Sequence, residues 1–196
     1  ILTHIRHSEK VFTMKRLLLI LVLTLSLQSW TKADDIRDLE VDGLSIGDSL
    51  LTLYDKDDIE REKAKYYKSN KYGSITFAPL DKQYDEIQTS WKTSDQEYKI
   101  VAISGGVHQN DINKCYNKMD DVKNEFIGFL NTKPKKKISN PNPYGLYTYI
   151  TFKLKNDDEV TISCYDYEDQ FGYQDIFRIR LSTKDFENWI TTEAYD

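Results

Sequence analysis

Histidine and cysteine are scarce in this chain of 196 residues, which contains three His and two Cys. Two of the histidines, His4 and His7, lie ahead of or within a leader-like segment, so only His108 is left for chemistry in the remainder. A histidine-rich zinc site cannot be assembled from one His and two Cys without carboxylates. A Ser-His-Asp triad would have to use His108, and no G-x-S-x-G elbow accompanies it. We therefore expect no catalytic residue, no metal and no cofactor.

Phosphate-binding loops and an excess of positive charge are also missing. Gly105 and Gly106 stand outside any G-x-x-x-x-G-K-[ST] or G-x-G-x-x-G frame, and they are expected to end a strand. The chain has 27 Lys+Arg against 32 Asp+Glu, a net charge of -5, which becomes -9 for residues 34–196. Nucleic acid is not an expected partner, because phosphate binding needs a basic surface. A lysine-rich stretch over 132–143 is expected to be a solvated loop.

The one pronounced apolar run is too short to span a bilayer. It covers residues 17–27, eleven residues, whereas a transmembrane helix needs roughly 20. Met14, Lys15 and Arg16 precede it, and the small residues Thr31 and Ala33 follow it. A basic start, a short apolar run and small residues at a cleavage site predict a secretory signal peptide over 14–33. The alternative is an uncleaved membrane anchor.

This interpretation divides the chain into an upstream extension over 1–13, the signal peptide, and a single domain over 34–196. The domain is expected to be exported, either periplasmic or secreted, with no membrane association after cleavage. A monomer is expected.

Hydrophobic periodicity predicts an α+β fold, with antiparallel sheet packed by a long central helix. The predicted order is roughly ααβββαβββα. In chain order it comprises helices over 45–54 and 57–68, strands over 74–80, 84–93 and 98–104, the long helix over 110–130, strands over 144–154, 159–167 and 173–181, and a final helix that begins at a capping box formed by Ser182 and Asp185.

Parity places both cysteines in the same layer of the core. Cys115 lies on the apolar stripe of the long helix, and Cys164 shares its strand parity with Val160 and Ile162. In an exported protein with only two Cys, this placement predicts a Cys115–Cys164 disulfide. Two free buried thiols and a catalytic cysteine are the alternatives.

The same parity predicts a candidate binding face on the opposite side of the sheet. Inward residues of neighbouring strands must face each other, so the alternate residues are turned outward. We call this set the Tyr/Arg face: Tyr147, Tyr149, Tyr165, Tyr167, Arg178 and Arg180. Flat amphipathic rings beside guanidinium groups suit a glycan, an aromatic or anionic small molecule, or a protein partner. The alternative is an ordinary solvated sheet face, because aromatic residues favour strands.

Two stretches of the chain carry a family resemblance. They read ADDIRDLEVDGLSIGDSLL over 33–51 and CYDYEDQFGYQDIFRIRLSTKDFENWI over 164–190. They resemble the mature start and the C-terminal part of a family of small uncharacterised secreted proteins from marine alphaproteobacteria. With the helix that carries Cys115, the likeness covers most of residues 34–196. No activity is assigned to that family, so the resemblance implies export and a single domain and adds no catalytic residue.

The sequence thus favours a non-enzymatic binding or interaction module that acts through the Tyr/Arg face. One alternative is a hydrolase of glycans or peptides that uses a carboxylate pair such as Glu168 and Asp169. The other is a small secreted inhibitor of another protein.

Overall fold

The computed structural model describes residues 33–195, and the predicted extension and almost all of the predicted signal peptide lie outside this range. The helices are α1 (Lys56–Glu62), α2 (Ile112–Phe129) and α3 (Lys184–Thr192). The strands are β1 (Glu40–Val41), β2 (Leu44–Ser45), β3 (Tyr72–Phe77), β4 (Glu86–Lys92), β5 (Ile100–Gln109), β6 (Ile138–Asn142), β7 (Gly145–Lys153), β8 (Glu159–Tyr167) and β9 (Asp175–Ser182).

Seven strands form one antiparallel sheet in the order β3-β4-β5-β9-β8-β7-β6, and β1 pairs with β2 in a small separate hairpin. This architecture confirms the α+β class. Two differences concern the element order, because a hairpin and a short 3-10 turn stand in place of the first predicted helix, and the second strand block contains four strands.

The long helix α2 begins where its sequence provides a cap. The Asp111 side chain accepts a hydrogen bond from the backbone N–H of Asn113, which satisfies one of the free donors of the first turn. The buried side of α2 consists of Cys115, Met119, Val122 and Phe126, at the helical spacing that the sequence shows. This stripe packs on the middle of the sheet, on β8, β9 and β5.

The predicted disulfide is confirmed. Cys115 and Cys164 are bonded with a Cα–Cα distance of 6.0 Å, and both side chains are fully buried. The bond closes a loop between residues 49 positions apart. On the chain-entropy account such a loop contributes about 4 kcal/mol to the free energy of unfolding. The bond ties α2 to β8 and therefore fixes which face of the sheet α2 covers.

Strand register follows the predicted parity. In β7 and β8, Thr148 faces Cys164, Ile150 faces Ile162, and these residues are buried on the α2 side. Tyr147 pairs with Tyr165 on the opposite side. The register of a half-buried strand is strongly specified, because a slip of one residue would exchange its two faces.

The prediction that Gly105 and Gly106 end a strand is wrong, because β5 continues to Gln109. Each glycine instead leaves space on one face of the sheet. A Cβ at Gly105 would lie 2.3 Å from the Tyr84 ring, and a Cβ at Gly106 would lie 2.7 Å from Cδ1 of Ile176. The two glycines therefore serve close packing on a continuous strand, a role that glycine has where another group approaches the backbone.

The predicted helix over 45–54 is also wrong. Gly47 has a φ of 100°, which is incompatible with a right-handed helix, and only a 3-10 turn over Leu50–Thr52 forms. The second predicted helix ends at Glu62 instead of Lys68, because the following segment runs beside β3, where the N–H of Ala64 donates to the carbonyl of Ser74 at 2.8 Å.

Two further boundaries differ from expectation. The predicted loop over 132–143 contains β6, and Pro141 is tolerated there because β6 is an edge strand with one unpaired side. The cap of α3 is Thr183 rather than Ser182, since the Thr183 side chain accepts the N–H of Phe186.

We predict that Gly105→Ala lowers the free energy of unfolding by about 1–3 kcal/mol, because the added methyl group must displace the buried Tyr84 ring. Gly128→Ala is the matched control. A Cβ there meets no atom within 4 Å, and alanine should stabilise α2 by roughly 0.5–1 kcal/mol. Urea unfolding of both variants measures the difference, and equal effects would contradict the packing role of Gly105.

Candidate functional site

The Tyr/Arg face is partly covered, and the partial cover creates a cleft. Helix α3 packs on the side of the sheet opposite α2, where Phe186 and Trp189 contact Tyr72 and Ala102 in a second apolar cluster. Tyr72 belongs to β3 and Ala102 to β5, so α3 covers this part of the sheet. The six residues of the Tyr/Arg face are half-buried as a result.

A short irregular segment joins α3 to complete the covering wall. The backbone N–H of Lys68 donates to the carbonyl of Ala194 at 2.9 Å, and Nε1 of Trp189 donates to Oγ of Ser69 at 3.1 Å. The ring of Tyr67 packs against Trp189 at 4.9 Å between centroids. These contacts hold the segment after α1 and the end of α3 together as one wall.

The space between this wall and the sheet is a cleft of about 320 Å³. Four of the six predicted residues line it, namely Tyr165, Tyr167, Arg178 and Arg180. The wall contributes Tyr66, Tyr67, Phe186, Ile190 and Tyr195, and the sheet adds Gln88, Ser90 and Ser104. Tyr147 and Tyr149 share the face but do not line the cleft.

The tyrosines of the face form a row of stacked rings. Tyr147 stacks on Tyr165 at 4.3 Å and on Tyr149 at 5.0 Å, and Tyr165 stacks on Tyr167 at 5.8 Å. Burial raises the pKa of the Tyr147 hydroxyl well above its usual value, and burial also raises the pKa of Tyr167. These phenols are therefore neutral hydrogen-bonding groups at physiological pH.

Arg178 is held in place by an ion pair that reaches across β5. Register places Glu86 and Arg178 on either side of Gly106, which has no side chain to separate them. Nη2 of Arg178 bonds to Oε1 of Glu86, and Nη1 donates to Oγ of Ser104 at 3.1 Å. Gly106 is thus part of the site, because a larger residue there would crowd Glu86 as well as Ile176.

Arg180 is fixed from the opposite direction, by the covering helix. Nη2 of Arg180 lies 2.9 Å from Oε1 of Glu187, the same oxygen that accepts the Ser182 hydroxyl at 2.5 Å. The Glu187 side chain is only 12% exposed. This network attaches the first turns of α3 to β9 and sets the width of the cleft at that end.

The two pairs determine the electrostatic character of the cleft. Each guanidinium is balanced by one carboxylate, Arg178 by Glu86 and Arg180 by Glu187. A guanidinium has five N–H donors, and Arg178 uses two of them in these contacts. The cleft therefore offers free N–H donors and aromatic surface with little net charge.

The other candidate chemistry of the sequence lies elsewhere. Glu168 and Asp169 are exposed outside the cleft, and Glu168 accepts a hydrogen bond from the Gln170 side chain. The backbone N–H of His108 donates to the Asp85 carboxylate at 2.7 Å, and His108 does not line the cleft. Within residues 33–195 no group of three or more His, Cys, Asp or Glu is arranged to hold a metal ion.

Sequence reasoning missed the wall of the cleft and both carboxylates. Tyr66 and Tyr67 lie far from the predicted face in sequence, and Glu86 is 92 positions from its partner Arg178. One available signal was the apolar stripe of the last helix. Because α2 covers one face of the sheet, the apolar stripe of the last helix has to be buried against the other face, which is the Tyr/Arg face.

Comparison with protein-family models, with curated proteins and with solved structures finds no match. The resemblance to the marine alphaproteobacterial family therefore stays a prediction. In the part of the chain that the structure describes, no helix is long and apolar enough to cross a lipid bilayer.

We predict that Glu187→Gln lowers the free energy of unfolding by roughly 1–3 kcal/mol, because a charge-assisted bond to the half-buried Arg180 is weakened. The matched control is Glu193→Gln, whose ion pair with Lys71 is half exposed on both sides and should be worth at most about 1 kcal/mol. Chemical unfolding measures the free energy of unfolding of both variants. A loss of stability no larger for Glu187→Gln than for Glu193→Gln would contradict the role of Glu187 in attaching α3 to β9.

Proposed function

We propose that this chain is an exported, non-enzymatic binding module that holds a small molecule or a glycan unit in the cleft on the Tyr/Arg face. The observation that carries the proposal is the cleft itself, in which half-buried aromatic rings surround two arginines held by their own carboxylates.

The composition of the cleft fits recognition. Small-molecule sites are concave, of about 300–1,000 Å³, and combine apolar and aromatic walls with a few fixed polar groups. Here the rings of Tyr165 and Tyr167 supply flat surface, and the guanidinium of Arg178 supplies oriented donors. Because Glu86 and Ser104 already fix Arg178, a ligand need not order that side chain, which lowers the entropic cost of binding.

Export is supported by two features of different kinds. The segment over 14–33 has the pattern of a signal peptide, and the domain that follows contains a disulfide. Disulfides persist in oxidising compartments such as the periplasm and the extracellular space.

The proposal is tested by comparing the substitution of a tyrosine that lines the cleft with the substitution of a tyrosine on the same face outside it. We expect Tyr167→Leu to reduce ligand-induced thermal stabilisation strongly, because it removes a ring that lines the cleft. Tyr149→Leu is the matched control, since it removes a half-buried ring of the same face outside the cleft. Probes are neutral oligosaccharides, aromatic carboxylates and short peptides, measured by thermal shift.

Two results would overturn the proposal. One is binding that Tyr167→Leu leaves unchanged. The other is turnover of a glycan or peptide probe that is lost when carboxylates are changed to amides, which would establish the hydrolase instead.

A further inference from the structure

We infer that the ligand is a neutral oligosaccharide, with one sugar ring in the cleft and the following rings on an exposed aromatic surface at the end of the sheet. This inference rests on the proposed binding function and names its ligand class. We call the exposed surface the end platform, and it consists of Tyr144, Phe171 and Tyr173.

The end platform continues the aromatic row out of the cleft. Tyr167 lines the cleft and contacts Tyr173 at 5.3 Å between ring centroids. Tyr173 contacts Tyr144 at 6.2 Å, and Tyr144 contacts Phe171 at 5.3 Å. A ligand that leaves the cleft beside Tyr167 therefore meets aromatic surface without a break.

The platform residues are unusually exposed for their size. Tyr173 is 60% exposed, Tyr144 is 50% exposed and Phe171 is 38% exposed. Contiguous exposed apolar surface on a folded domain marks an interaction site more often than isolated exposed residues do.

The platform is also fixed before any ligand binds. The N–H of Glu168 donates to the carbonyl of Tyr144 at 2.9 Å, which joins the loop before β7 to the loop after β8. The N–H of Tyr144 donates to Oδ1 of Asn142 at 2.9 Å. Gly172 supplies the left-handed conformation, with φ 68°, that turns the chain toward Tyr173.

Charge favours a neutral ligand. The arginines of the cleft are balanced by Glu86 and Glu187, and the chain as a whole is acidic, with a net charge of -5. An anion would gain no unpaired cation in the cleft and would be repelled by the surrounding field. The hydroxyl groups of a sugar can instead accept hydrogen bonds from the free N–H groups of Arg178 and form hydrogen bonds with the neutral phenols. The C–H faces of the sugar can lie on the tyrosine rings.

The position of the aromatic row argues against an extended peptide. Peptides that bind to sheets usually add a strand at an edge, where backbone groups are unpaired. The row of tyrosines instead crosses the face of β7 and β8, whose backbones are paired with neighbours on both sides. A ligand on this face must therefore be recognised by side chains. An oligosaccharide can be bound in this way, since it needs no unpaired backbone groups.

The test measures affinity against ligand length. Neutral cello-, malto-, manno- and chito-oligosaccharides, from mono- to hexasaccharide, are titrated calorimetrically into the folded protein. In the series that binds, we expect affinity to rise about tenfold or more from the mono- to the tetrasaccharide, equivalent to about 1.4 kcal/mol. The double variant Tyr144→Ala/Tyr173→Ala should abolish this rise while the monosaccharide affinity stays unchanged.

Two control variants accompany this measurement. Leu80→Ala removes a side chain that is 61% exposed and lies outside the cleft and the platform, so it should preserve the length dependence. Glu86→Gln removes the charge that balances Arg178, so it should increase the affinity for oligogalacturonate, an anionic sugar, severalfold.

The contradictory outcomes are distinct. Affinity that does not depend on length, or a platform variant that keeps the length dependence, overturns the extended site. Binding of an aromatic carboxylate in the cleft with no saccharide binding overturns the sugar class and leaves the proposed binding function intact. Failure of every probe to bind contradicts the proposed function as well.

Discussion

The disulfide between Cys115 and Cys164 fastens α2 to one face of the seven-stranded sheet, and the arrangement of the opposite face depends on that attachment. Side chains alternate along a strand, so the face that receives α2 determines where each residue of β7, β8 and β9 points. The apolar residues are placed against α2, and the tyrosines and arginines are placed away from it. A slip of one residue in β9 would bury Arg178 and Arg180 under α2, at a large desolvation cost.

A second constraint acts at the centre of the sheet, where β5 contains two consecutive glycines. Gly105 admits the Tyr84 ring on the α2 side, and Gly106 allows Glu86 to reach Arg178 on the other side. Glycine weakens a strand by roughly 0.5–1 kcal/mol relative to alanine. The buried ring and the ion pair offset this cost. The same pair of residues thus supports the core on one face and the cleft on the other.

What could be predicted from the sequence was local or depended on parity. The stripe of α2, the hairpin of β7 and β8 and the disulfide all follow from periods of 3.6 and 2 that are visible within short windows. The shared face of Tyr147, Tyr149, Tyr165, Tyr167, Arg178 and Arg180 follows in the same way.

What could not be predicted depends on contacts between distant parts of the chain. The glycines of β5 resemble a strand end until Tyr84 and Glu86 are seen packed against them. The residues after Glu62 are rich in helix formers, but pairing with β3 and contacts with α3 hold them extended. That segment forms one side of the cleft. Local sequence patterns therefore predicted the sheet residues that line the cleft but not the residues that cover them.

The central claim is that ligand binds on the side of the sheet opposite α2, in the cleft and on the end platform that continues it. Its most direct test is a titration of ring-labelled tyrosines by NMR with the neutral oligosaccharide that binds most tightly. We expect the resonances of the cleft tyrosines Tyr66, Tyr165, Tyr167 and Tyr195, and of the platform tyrosines Tyr144 and Tyr173, to shift. Those of Tyr84, Tyr98 and Tyr116, which pack in or against the core on the α2 side, should stay unchanged. Shifts confined to the α2 side, or binding that leaves the cleft tyrosines unchanged, would contradict the account.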